Sequence, residues 1–104
     1  MIEITQVKLR KIFPEGKLRA IVSITLDGVF AVHDVKVIEG LDGFFVAMPN
    51  RPDGRNGYRD ICHPTNAAFR KVIDDAVLRA FDAYQRQLED EQVYEDGLTV
   101  VYSE

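Results

Sequence analysis

The stretch MPNRPDGRNGYRDICHP, residues 48–64, divides the chain: the residues before it read as strands and most of those after it read as one helix. Pro49, Pro52, Gly54, Gly57 and Pro64 oppose a regular element through most of it. Asp53-Gly54 and Asn56-Gly57 are turn dipeptides. The segment is therefore expected to be loop, with at most a short strand near Tyr58 to Ile61. Arg51, Arg55 and Arg59 recur every four residues within it. Each carries a planar fork of donors suited to phosphate or to the edge of guanine, and Asn50 and Asn56 could read bases through their amides.

Working back from this stretch, residues 3–13 place Ile4, Val7, Leu9 and Ile12 among Thr5, Lys8, Arg10 and Lys11, a strand-like pattern with an irregularity after Ile4. Residues 14–17 turn the chain. Residues 18–26 alternate well, Asp27-Gly28 signals a two-residue hairpin turn, and residues 29–38 form a third strand. After a turn over residues 40–43, Phe44 to Ala47 makes a short apolar fourth strand.

A two-residue turn at Asp27-Gly28 predicts the pairs Val22 with His33, Ile24 with Ala31, Ala20 with Val35 and Arg19 with Lys36. A four-residue turn at Pro14 to Lys17 predicts Leu9 with Val22 and Arg10 with Ile21. In that register Val7, Leu9, Leu18, Ala20, Val22, Ile24, Ala31, Val35 and Val37 line the core face. The other face mixes Lys8, Arg10, Arg19 and Lys36 with Ile12, Ile21, Phe30, Val32 and Ile38. It is too apolar to stand wholly in water. The expectation is a homodimer through this face of the sheet, with the basic residues at the rim of the contact.

Working forward, Pro64-Thr65 supplies a helix start, with Thr65 or Asn66 as N-cap. Phe69, Val72, Ile73, Ala76, Val77, Ala80, Phe81 and Tyr84 follow helical spacing and give one apolar stripe for the core face of the sheet. Asp75 with Arg79 and Asp82 with Arg86 are i, i+4 pairs on the exposed side. The helix is expected over about residues 66–88. Residues 1–90 then form a single domain and residues 91–104 an acidic tail, within which 98–102 has strand character and could extend a sheet edge. The fold class is α+β: a small antiparallel sheet of four to five strands with one long C-terminal helix packed on one face.

At 104 residues and 46% hydrophobic content the chain suits one domain with a modest core. There is no membrane-length apolar run and no lipidation motif, and Cys62 is the single cysteine, so the expected compartment is the cytoplasm. The net charge of −4 argues against binding of nucleic acid through overall basicity, but the charge is uneven. Residues 1–64 carry nine Lys/Arg against eight Asp/Glu, and residues 65–104 carry four against nine. A polyanion would be drawn to the sheet and the loop, with Lys8, Arg10 and Arg19 as flanking phosphate contacts, and not to the helix and tail.

No catalytic set or metal centre is expected. His33-Asp34 and Cys62-His63 are neighbours along extended chain, and such neighbours point apart. His33 falls on the predicted core side, as a hydrogen-bonded structural residue. His63, held extended before Pro64, should fix the entry to the helix. Gly54 and Gly57 are spaced for turns and not for a phosphate-cradling loop. Phe44, Phe45 and Tyr58 could stack on unpaired bases, though Phe44 and Phe45 point to opposite faces and at most one is free.

Three blocks, FFVAMP at 44–49, PDG at 52–54 and YRDICHPTN at 58–66, resemble the stage V sporulation protein G family of small bacterial regulators, also called septation proteins. The likeness extends back through RAIVSITLD at 19–27 and VHDVKVIEG at 32–40, and forward to DAVL at 75–78. Members of that family commonly carry a longer polar and basic run between the Met-Pro and the Pro-Asp-Gly; this chain has Asn50-Arg51 there and makes up the length with Arg55-Asn56-Gly57. The resemblance implies a nucleic-acid-binding regulator, with DNA as the leading ligand and RNA as a further candidate, linked to septation and sporulation and not an enzyme; no cofactor, small-molecule substrate or membrane partner is expected. The alternative is a protein-interaction module acting on the septation machinery without touching nucleic acid.

Overall fold

A computed structural model describes residues 2–54, 57–91 and 100–103, with side chains for residues 2–54 and 57–87. The elements are β1 (Ile4–Ile12), β2 (Leu18–Leu26), β3 (Phe30–Gly40), β4 (Gly43–Ala47), β5 (Asn50–Pro52), β6 (Tyr58–Asp60), α1 (Ala67–Glu91) and β7 (Val100–Ser103). One antiparallel sheet runs in the order β4-β3-β2-β1-β7, and β5 with β6 forms a separate ribbon. The fold is α+β, with α1 laid across one face of the larger sheet. Among the described residues no helix is long and apolar enough to cross a membrane.

The sheet is ordered by bulges. Register shifts occur in β1 at Thr5 and Arg10, in β2 at Arg19, and in β3 at His33-Asp34, where two residues stand opposite Ser23 alone. A bulge adds a residue without letting the strand switch faces permanently. In β1 the apolar residues are spaced three, two and three apart, and a bulge in each three-residue gap keeps Ile4, Val7, Leu9 and Ile12 all against the core. The same device in β3 keeps Val32 with Val35 and Val37.

The longer turn and the bulges together correct the simple register: pairing of Leu26 with Phe30 shifts every pair near the turn by one residue, and the bulges shift those beyond. Val22 pairs with Val35, Ile24 with Val32, Ala20 with Val37 and Ile21 with Lys36, while Ala31 faces Thr25. Leu9 does pair with Val22, but Ile21 faces Lys11 because Arg10 is the extra residue. Ile12 and Val32 therefore pack against the core and not on the outer face, Ala31 is exposed, and His33 is exposed instead of lying on the core side. His33 keeps a hydrogen bond, its Nδ1 standing 2.8 Å from Ser23 Oγ.

Asp27 and Gly28 both have positive φ, 51° and 69°, and Val29 N–H bonds the Leu26 carbonyl at 3.0 Å, but the strands pair from Leu26 with Phe30, so the connection is one residue longer than the expected two-residue turn. The bulged Thr5 accepts from Gly28 N–H through Oγ1 at 2.8 Å, and Asp27 Oδ1 accepts from Glu3 N–H at 2.8 Å. These bonds pin the turn to β1.

Asn66 is the N-cap of α1, its Oδ1 accepting from Phe69 N–H at 2.8 Å. The helix buries Ile73, Ala76, Val77, Ala80, Phe81 and Tyr84, with Phe69 partly covered; Val72, expected in the stripe, is 44% exposed at its margin. Phe81 meets Phe44 of β4 edge-on with ring centroids 5.0 Å apart. Asp82 pairs with Arg86 at 3.0 Å as expected, and Lys71 with Asp75 at 3.1 Å. β7 pairs antiparallel with β1, Lys8 facing Val101, so part of the 98–102 segment does extend the sheet edge.

Candidate nucleic-acid interface

The expected loop of residues 48–64 contains a ribbon. Asn50 pairs with Asp60, Arg51 with Arg59 and Pro52 with Tyr58. The short strand near Tyr58 matches expectation and its partner β5 does not, because Pro49 and Pro52 argue against one. An edge strand accepts proline where the missing N–H is not needed. Asp53 N–H on the Gly57 carbonyl at 3.0 Å closes the ribbon's tip, and Gly54 and Gly57 take the positive φ values of 55° and 110° that the tight path demands.

The ribbon is fixed at its root. Met48 and Pro49 are buried, and Ile61 N–H donates to the Pro49 carbonyl at 2.7 Å. Asn50 Nδ2 donates to the Met48 carbonyl at 2.9 Å, so this amide already holds the backbone. Arg70, in the first turn of α1, donates through Nη2 to the Val46 carbonyl at 2.6 Å and through Nε to Asp74 at 3.1 Å. The arginine thereby ties the helix start to the strand from which the ribbon springs.

The register places Arg51 and Arg59 directly opposite on the ribbon, so their side chains share one face, and both residues are exposed. Like charges directly opposed across a pair of strands are unfavourable. Arg59 Nε lies 3.6 Å from Asp53 Oδ2, but both side chains are more than half exposed, and such a pair stabilises little. Tyr58 beside them is 73% exposed. Between β6 and the helix start lies a cleft of about 620 Å³ whose lining includes Tyr58, Arg59, His63, Asn66 and Arg70. The first turn of α1 contains no acidic residue, so its backbone N–H dipoles are not neutralised there.

The other expected site residues separate. Lys8 and Arg10 lie on the outer face of the larger sheet, away from α1. Arg19 does not join them: at its bulge the guanidinium stands 5.5 Å from the Phe44 ring centroid, donates from Nε to the Phe13 carbonyl at 3.0 Å and pairs through Nη1 with Glu39 at 2.9 Å. Its contacts are all internal. Arg55 and Asn56 lie outside the described residues. Lys11, Lys36 and Arg70 are not among the site residues expected from sequence; the legible signal for Arg70 is a cation in a helical first turn where acids are favoured. His63 Nδ1–H donates to the Pro64 carbonyl at 3.0 Å, at the entry to the helix. No three His, Cys, Asp or Glu residues among those described converge as a metal site.

Known proteins match most of this chain in sequence. The SpoVG family model matches residues 2–83. Three relatives carry the name "Putative septation protein SpoVG". That of Clostridioides difficile is 56% identical over 79 residues, covering 76% of this chain and 86% of its own. That of Oceanobacillus iheyensis is 50% identical over 97 residues, 91% of this chain and 96% of its own. The Staphylococcus epidermidis protein is 45% identical over 97 residues, 91% and 93% of the two chains. The match takes in the whole of β1 to β6 and more than half of α1, and the chain belongs to the SpoVG family.

Proposed function

We propose that this protein is a bacterial regulator that binds nucleic acid, without catalysis or cofactor, through the β5–β6 ribbon and the helix start behind it. Its link to septation and sporulation follows the name that its relatives carry. The observation that supports the reading best is the opposed pair Arg51 and Arg59: two exposed guanidinium groups on one face of a ribbon rooted by Asn50 and Arg70. A phosphate lying between them would remove their mutual repulsion and accept from both. Tyr58 offers a ring for a base, and the cleft at the helix start offers N–H dipoles to a second phosphate.

The test is binding of a random-sequence DNA and RNA pool at two salt concentrations, with Arg51→Ala and Arg59→Ala singly and together. Wild-type binding should weaken with salt. Each substitution should reduce the log–log salt slope by about 0.7 for single strands or about 0.9 for duplex. An unchanged slope in the folded double variant would remove the ribbon from the site.

A second reading, a protein-interaction module, draws on one observation. Phe30 and Ile61, both more than 60% exposed, sit on a largely apolar cleft of about 450 Å³ between the β2–β3 turn and residues 61–64. Capture of a septation protein that survives nuclease treatment and tolerates the arginine substitutions would favour it.

A further inference from the structure

We propose that the outer face of the five-stranded sheet is a track for single-stranded nucleic acid, with Lys8, Arg10, Lys11 and Lys36 meeting the backbone and Ile21 and Phe45 meeting base faces. The inference rests on the nucleic-acid reading of the ribbon and extends it to a second surface and to one class of ligand.

Charge is the first support. Among the described strand residues these four cations share the face with one carboxylate, Asp34, in a chain whose net charge is −4. None of the four forms an ion pair with a described residue. The face is therefore a local positive field in a protein that otherwise repels polyanions.

Spacing is the second. Ala47, Lys36, Ile21 and Lys11 pair in succession across β4, β3, β2 and β1 and form one row. Lys36 and Lys11 stand two strands apart, about 10 Å, with the aliphatic Ile21 between them. Beside that row Arg10, Lys11, Ile21, Ser23, His33 and Asp34 line a hollow of about 490 Å³. Phe45 is 49% exposed and rests against Gly40, where a Cβ would stand 3.1 Å from its ring. Ala47, at the end of the row, lies three residues before the ribbon strand that begins at Asn50.

Alternating cations and apolar side chains suit an unpaired strand, whose base faces can meet Ile21 and Phe45 while its phosphates meet the lysines. A duplex presents phosphate outward and would set charge against those apolar groups. A second copy is disfavoured as the occupant. A two-fold contact through this face would bring it onto itself, and Lys36 and Lys11 flank Ile21 in mid-face instead of lying at a rim. Like charges would meet in a desolvated contact.

The test is fluorescence anisotropy of the full chain with labelled 16-nucleotide dT and U strands and a 16-base-pair duplex across a salt series. The wild type is compared with Lys11→Ala/Lys36→Ala, Lys11→Arg/Lys36→Arg, Phe45→Ala and Arg51→Ala/Arg59→Ala. The lysine-to-alanine variant should lower the single-strand salt slope by about 1.4, and the arginine replacement should restore it. Phe45→Ala should weaken single-strand binding by about 5- to 150-fold, the equivalent of about 1–3 kcal/mol of lost stacking, with little change for duplex. If only the Arg51/Arg59 variant changes the slope, the ribbon reading stands and the track is overturned. If the wild type binds no probe, both fall. Lysine variants that change molar mass by sedimentation at unchanged affinity would reassign the face to contact between copies.

Discussion

The two faces of the sheet use the same strands for opposite ends. On the α1 side, Val7, Leu9, Val22, Val35 and Val37 are fully buried and meet Val77 and Phe81 of the helix. On the other side, the residues between them are lysines, Arg10, Ser23 and half-exposed apolar groups with no covering element among those described. Strict alternation alone would not sort the chain this way. Four bulges do it, and each lies at or beside a polar or charged residue: Thr5, Arg10, Arg19 and His33-Asp34. The face a residue serves is thus set by where the strand slips as much as by its parity.

The largest effect should come from breaking the covered face. Phe81→Ala removes a buried ring and its edge contact with Phe44, and should cost about 3–5 kcal/mol in urea unfolding. A loss below about 1 kcal/mol would mean that the helix does not seat on the sheet as described. Next, Asn66→Ala deletes the bond to Phe69 N–H and should cost about 1 kcal/mol, with the cleft behind the ribbon loosened as the first turn frays. A variant as stable as the wild type would move the cap elsewhere.

A bulge can be probed by the sign of a single change. Asp34 has φ 65°, a left-handed conformation in which a side chain is strained and glycine is not. Asp34→Gly should be neutral or stabilising by up to about 1 kcal/mol, where glycine in an ordinary strand position would destabilise by about 0.5–1 kcal/mol. Clear destabilisation would argue that β3 runs straight and that Val32 belongs to the outer face. The smallest effect should come from the open face: Lys11→Ala/Lys36→Ala should leave stability within about 0.5 kcal/mol, because neither side chain has a described partner to lose.

The elements most legible in the chain are those with a clean period. The helix stripe from Phe69 to Tyr84 reads with one error at the margin, Val72, and the dipeptide Asp27-Gly28 gives the place of the turn but not its length, which is one residue greater. The features that escape are those that depend on an inserted residue. The spacing of Ile4, Val7, Leu9 and Ile12 carries the information for two bulges, but Ile12 can be reconciled with plain alternation by assigning it outward, and only the core shows that it turns in. Arg19 cannot be placed from sequence at all. A bulge of its own sends it to Phe44 and Glu39, contacts that join β2 to the ends of β3 and β4. Within the candidate site, the arginines are visible as a spacing of four, whereas the opposition of Arg51 and Arg59 needs a strand that the two prolines speak against.

The most direct test of the account is an amide chemical-shift titration of the full chain with a short single-stranded oligonucleotide. The ribbon amides of Arg51 and Tyr58 to Asp60 should move, with those of Lys11, Ile21 and Lys36 on the open face, while Ala76 to Tyr84 on the covered side stay still. Shifts confined to the helix, or none at an oligonucleotide concentration that saturates binding by other means, would contradict it.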